Sequence, residues 1–289
     1  MKISSLFQPG KTVFSLEVFP PKRTSPIETI YQTLEELGDL HPDFISVTYG
    51  AGGNTADSST CQIAARIKNE YGIEALAHLT CVNSTRENVK DIIHQFRENN
   101  IENVLALRGD ISPEVPRQED FSYAMDLIRY LKEDPEGSSM GISAACYPEG
   151  HPEADSVEGD LIRLKEKVEA GAQHLVSQLF FENDTFYGFV EKARQEGIAV
   201  PIEAGIMPVV NKRQIERMVS LCGASLPAKF TKMMNRYENN PEAMRDAGIA
   251  YAVDQIVDLI ANGVDGIHLY TMNNPLIARR IADSIQSLR

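Results

Sequence analysis

The sequence predicts a closed (β/α)₈ barrel (a TIM barrel) forming a single domain over residues 1–289, and three observations carry that prediction. Eight short apolar runs recur along the chain, each followed by a polar loop and an amphipathic segment. The first four runs begin 30 residues apart, which suits a strand, a crossover helix and a parallel strand. The competing doubly wound open sheet lacks its signature. Gly50-Ala51-Gly52-Gly53-Asn54-Thr55 misses the final glycine of GxGxxG, and no Walker A sequence occurs.

The expected strands are VFSLEVF (13–19), DFISVTY (43–49), IEALAHL (73–79), NVLALRG (103–109), GISAACY (141–147), QHLVSQLF (173–180), PIEAGIM (201–207) and GIHLYTM (266–272). Helix punctuation falls between them. Ser25-Pro26 predicts a cap followed by proline at the first helical position. Ser84-Thr85-Arg86-Glu87 has capping-box spacing, and Gly171 and Gly197 sit where the helices before strands six and seven should end. The 58 residues between runs seven and eight are long for one crossover and predict two or three helices, split near Pro227 and Pro241.

With 43% hydrophobic and 24% charged residues, the chain can bury a sizeable core. Its formal net charge of −13 argues against nucleic-acid or acidic-membrane partners. An anionic ligand must then be met by a few placed Arg and Lys side chains. Cys61, Cys81, Cys146 and Cys222 are scattered, which fits reduced thiols in a cytoplasmic protein better than a disulfide or zinc framework. No HExxH or comparable spacing predicts a metal site, and the N-terminus lacks the apolar run of a signal peptide.

Barrel chemistry gathers at the C-terminal ends of strands. Here those ends are polar: Glu17, Thr48 and Tyr49, His78, Arg108 with Asp110, Tyr147, Gln178 and Tyr270. Strand parity sharpens the case of Glu17. Phe14, Leu16 and Val18 share the face that suits packing against helices, so Val13, Ser15, Glu17 and Phe19 face the interior. By the same parity Ser46 and Thr48 point inward, Ile45 and Val47 outward. Two readings of Glu17 stay open. It is a general acid whose pKa is raised by partial burial, or a carboxylate salt-bridged to Arg108 with its pKa lowered. The loops GDISPEVPRQED and PEGHPEADSV are long enough to wall or cover a site.

In order and spacing, SLEVFPPK, SVTYGAGG, AHLTC, ALRGD, YPEGHPEA, SQLFF and GIMPV resemble the methylenetetrahydrofolate reductases, from about residue 11 to 283. The resemblance implies a flavoprotein barrel that reduces 5,10-methylenetetrahydrofolate to 5-methyltetrahydrofolate, using FAD reduced by NADH or NADPH. On it, Glu17 is the acid that protonates folate N10 and opens the ring to an iminium ion. Asp110 is a fixed negative charge beside that cation. Gln178 and Gln214 belong to the folate site. Thr48, Tyr49, Ala51, His78, Arg108, Gly109, Asp110, Ala124, Tyr147, His151, Ala154, Asp160 and Lys167 match flavin contacts, the last two expected to flank a helix start. A homo-oligomer is also implied. Because the chain ends about 17 residues after run eight, a single catalytic domain with no regulatory extension is expected.

Four positions depart from the pattern. Arg163 stands for an asparagine and Glu166 for a phosphate-facing arginine, which makes Arg163 a candidate for the lost charge. Met218 replaces an aromatic expected to stack on folate, and Asn274 an arginine. Two alternatives keep the barrel: a flavin-free pterin-binding methyltransferase, and a reductase subunit that takes electrons from a partner protein.

Overall fold

The computed structural model describes residues 1–22, 24–49, 59–111 and 117–289. The strands are β1 (Val13–Val18), β2 (Phe44–Val47), β3 (Glu74–Thr80), β4 (Asn103–Leu107), β5 (Gly141–Cys146), β6 (His174–Ser177), β7 (Ile202–Ile206) and β8 (Gly266–Tyr270). All pair in parallel with their sequence neighbours, and β1 also pairs with β8, which closes the barrel. Each predicted run holds one strand. The helices are α1 (Glu28–Gly38), α2 (Ser59–Asn69), α3 (Arg86–Glu98), α4 (Ala124–Glu133), α5 (Val157–Ala170), α6 (Asn183–Gln195), α7 (Lys212–Cys222), α8 (Ala228–Tyr237), α9 (Pro241–Ala261) and α10 (Pro275–Ile285).

Helix punctuation explains most boundaries. The long β7–β8 connection holds α7, α8 and α9, with Pro227 just before α8 and Pro241 opening α9. Gly171 ends α5 at φ +129°, and Gly197 follows α6 at φ +84°, conformations that favour glycine. Two predicted starts are corrected. Ser25 does not cap α1, which begins at Glu28; the Pro26 carbonyl instead accepts from Thr29 N–H (3.2 Å) and Thr29 Oγ1 (2.8 Å) in a preceding turn. The α3 capping box lies one residue later than expected. Ser84 donates its hydroxyl to Thr80 O, so Thr85 becomes the cap and Asn88, not Glu87, reciprocates.

Parity holds around the barrel. Phe14, Leu16, Val18, Ile45, Val47, Ala75, Ala77 and Leu79 join the layer between sheet and helices. Each such fully buried large side chain contributes about 1.5–3 kcal/mol. The opposite parity places Val13, Phe44, Leu76, Leu105 and Val176 in a second apolar cluster inside the N-terminal half of the barrel, with Ile3 among them. A short 3₁₀ turn, Ile3–Leu6, carries Ile3 there and is anchored by Ile3 N–H to Asn103 Oδ1 at 2.9 Å. This apolar plug fills the bottom and leaves polar inward residues for the middle and mouth.

Among the described residues, no helix is long and apolar enough to cross a membrane. No group of three or more His, Cys, Asp and Glu among them is arranged to hold a metal ion. The four cysteines are unpaired thiols.

Candidate active site

Glu17 is the penultimate residue of β1, in register with Ser46 of β2 and Tyr270 of β8. Its inward direction places Oε2 at 3.5 Å from His78 Nε2 and 3.5 Å from His268 Nε2. The side chain keeps 18% exposure, so it is sheltered yet open to the mouth. The salt-bridge reading is overturned: Arg108 donates from Nη1 and Nη2 to Glu153 at 2.6 and 2.8 Å. The upward pKa shift that goes with the general-acid reading is also corrected. Burial pushes the Glu17 carboxyl up, but the His268 hydrogen bond and the flanking His78 and His268 imidazoles outweigh it. The carboxyl is held below its ordinary range.

Burial drives His78 in the other direction, down to about 4, so at neutral pH it is an uncharged imidazole against Glu17. His268 is fully buried and sits between Ser15 Oγ on Nδ1 (2.6 Å) and Glu17 on Nε2. Tyr270 crosses His268 edge-on at 5.3 Å and donates its hydroxyl to Ser177 O at 2.7 Å. Burial pushes the Tyr270 phenol well up, aided by Glu17, so it stays protonated.

A second group forms on the β4–β5 side. Gly109 holds φ +87° beside Thr80, where a Cβ would lie 2.9 Å from Thr80 Cβ. Asp110 follows it, exposed. Tyr147 meets the His151 ring edge-on at 4.7 Å, and burial raises its phenol to about 12. His151 N–H donates to Asp160 Oδ2 (3.1 Å), and Ala154 N–H donates to His151 O (2.9 Å), which folds this loop over Arg108's partner Glu153. Burial lowers the pKa of His151. Asp160 lies in the first turn of α5, but Lys167 lies in its last, so the two do not flank one helix start. Seven residues apart, they share a helix face. Lys167 Nζ donates to Ala145 O of β5 at 2.7 Å, and burial lowers its pKa.

Thr48 and Tyr49 follow β2, with the Thr48 carbonyl accepting from Thr60 Oγ1 at 2.9 Å. Ala124 opens α4. Ala51 lies outside the described residues. Arg163 does not face inward as a replacement cation. Its side chain is 73% exposed and donates to Glu166 Oε2 at 3.1 Å, so it neutralises the glutamate beside it.

A third region is a cavity of about 250 Å³ between the ends of β1, β7 and β8, lined by Phe19, Met207, Gln214, Met218, Met272 and Asn274 among others. Gln214 thus lines the same cavity as the two departing residues, Met218 and Asn274. Asn274 is already committed: its Oδ1 accepts from Ile277 N–H at 3.2 Å and caps α10. Gln178 follows β6, and its Oε1 accepts from Leu179 N–H at 2.9 Å. Sequence reading missed His268, although inward parity on β8 together with a titratable side chain marks it.

Fold and site together define a (β/α)₈ barrel with a carboxylate–imidazole cluster in the mouth beside an apolar cavity. The methylenetetrahydrofolate reductase family model matches residues 2–286, and the chain belongs to that family. It is 35% identical over 276 residues to the 5,10-methylenetetrahydrofolate reductase of Escherichia coli, covering 96% of this chain and 91% of that one. It is 39% identical over 289 residues to methylenetetrahydrofolate reductase (NADH) 1 of Arabidopsis thaliana, covering 94% of this chain. The chain spans about half the length of the plant relatives it matches, 48% in that case. In structure it resembles a Clostridium thermocellum protein that binds two copies of 5-methyl-5,6,7,8-tetrahydrofolic acid. The TM-score is 0.66 over 96% of this chain and 94% of that one, at 13% identity, a likeness of fold.

Proposed function

We propose that this chain reduces 5,10-methylenetetrahydrofolate to 5-methyltetrahydrofolate in the cytoplasm, with FAD as cofactor and NADH or NADPH as reductant. The observation that carries the reading is Glu17: a sheltered carboxyl in the barrel mouth, flanked at 3.5 Å by two imidazoles. FAD, once bound and reduced, supplies the hydride.

The residues present fit that cofactor. His78 Nε2 is buried and, among the described residues, makes no hydrogen bond. The Lys167 ammonium faces no carboxylate within salt-bridge distance among those residues and bonds a carbonyl alone. It and Arg108 are the placed cations that a diphosphate needs on an acidic protein. Thr48, Tyr49, Gly109, Ala124, Tyr147, His151, Ala154 and Asp160 complete the wall that would hold the group.

Glu17 is ionised in the open site, so it takes up its proton when folate enters. Filling the mouth removes its remaining solvent and favours the neutral form. It then donates to N10, which leaves a cation on the folate. Asp110 supplies fixed negative charge near that cation, while Gln178 and Gln214 orient the pterin and aryl portions.

The test is anaerobic. The purified protein should be yellow, NADH or NADPH should bleach the 450 nm band, roughly the ordinary flavin position, and methylenetetrahydrofolate should restore it. A colourless protein from which no FAD is recovered would overturn the reading.

A further inference from the structure

Beneath Glu17 lies a second buried carboxylate to which the acid step gives no role. Glu203 of β7 is fully buried. Its Oε1 accepts from Ser15 Oγ at 2.9 Å, and Ser15 Oγ in turn meets His268 Nδ1 at 2.6 Å. Glu203 Oε2 lies 4.0 Å from His268 Nδ1 and 3.1 Å from His174 Nε2, whose Nδ1 meets Ser143 Oγ at 2.9 Å. The chain of contacts therefore runs from Glu17 through His268 and Ser15 to Glu203, and ends on His174 and Ser143. Glycine at 266 makes room for it, since a Cβ there would lie 2.7 Å from Glu203 Cγ.

A buried carboxylate is costly unless paired, and this one sits among hydroxyls and imidazoles where an apolar side chain would pack more simply. We infer that Glu203 is a positioning residue for the acid step, acting through Ser15 and His268 to keep a proton on the Glu17–His268 couple. This rests on the reading of Glu17 as the acid.

The physical reason is charge. The Glu17 carboxylate and the His268 imidazole share the site of one exchangeable proton, and whichever of them holds it, the couple is one unit more positive than without it. A fixed negative charge 4.0 Å from His268 favours the proton-bearing couple. The groups facing the couple are His78 from β3, His174 from β6, Glu203 from β7 and Tyr270 from β8. From β2, β4 and β5 come Ser46, Leu105 and Ser143, which do not titrate. Among these, Glu203 is the one carboxyl, and His174 Nε2 lies 3.1 Å from its far oxygen.

Glu203→Gln keeps the shape and removes the charge. In histidine-¹⁵N spectra of the folate-free holoenzyme, the His268 signal, assigned by its loss in His268→Gln, should give up its proton about one to three pH units lower than in wild type. The high-pH limb of the folate half-reaction should move down with it, flavin content unchanged. Glu203→Asp should restore both midpoints. Ser15→Ala removes the acceptor on Nδ1 without changing charge, and should move both midpoints in the same direction. It also stands in if Glu203→Gln fails to fold. Midpoints that coincide with wild type in whichever of these variants fold would overturn the inference. If Glu17→Gln retains folate turnover, the acid reading itself fails; if it loses turnover while the midpoints stay fixed, only the role of Glu203 fails.

Discussion

Replacing Gly266 by alanine tests the interior packing that holds the polar chain in place. Gly266 pairs with Glu203 across the β7–β8 register. A Cβ at 266 would stand 2.7 Å from Glu203 Cγ, 3.0 Å from Glu203 Oε1 and 3.0 Å from Val13 O. Two of those atoms belong to a fully buried side chain and the third to the backbone of β1, so little can yield. Overpacking of this kind costs about 1–3 kcal/mol. At about 2–4 °C per kcal/mol, the melting midpoint should fall by about 2–12 °C. In a Glu203→Ala background most of the clash is gone, so the same substitution should cost at least about 1 kcal/mol less. Urea unfolding followed by circular dichroism on the four proteins measures that coupling. Costs that add within about 0.5 kcal/mol would refute the placement of Glu203 against Gly266.

Three further outcomes follow from the same geometry. His78 is held neutral in the fold, with its pKa near 4 against 6.5 when unfolded, so below pH 6.5 the unfolded state binds the extra proton and stability falls. Between pH 6.5 and 5 the loss should reach about 2 kcal/mol, and His78→Asn should remove that share of the urea-midpoint shift. Lys167→Met should lower recovered FAD severalfold, whereas Arg163→Ala, which disturbs only an exposed pair with Glu166, should leave it unchanged. Glu153→Gln frees the Arg108 guanidinium from its carboxylate. Because that pair is partly exposed, the gain in flavin affinity should stay within about fivefold, measured by fluorescence quenching.

The strands were legible because their signal is local. Apolar runs at regular spacing mark each one, and period-two parity placed Glu17 and Ser15 inside and Phe14 outside before any contact was known. Helix starts were less legible, since Ser25-Pro26 and Ser84 compete with neighbouring hydroxyls and carbonyls for the same backbone groups. The partners of Glu17 were not legible at all. Arg108 was as plausible as any cation until the fold gave it to Glu153, and His268 is 251 residues away in sequence. The sign of the Glu17 pKa stays open in the sequence for the same reason, because partial burial is a property of one residue whereas two imidazoles are a property of the closed barrel. Glu203 reads as one polar letter in an apolar run until β1 and β8 close beside it.

Glu17→Gln tests the central claim most directly. In an anaerobic rapid-mixing experiment with the flavin already reduced, general acid catalysis of the usual size predicts that oxidation by methylenetetrahydrofolate slows by about 10²–10⁴-fold. Reduction by the nicotinamide and flavin content should stay near wild type. Folate-dependent oxidation within tenfold of wild type would contradict the assignment of Glu17 as the acid.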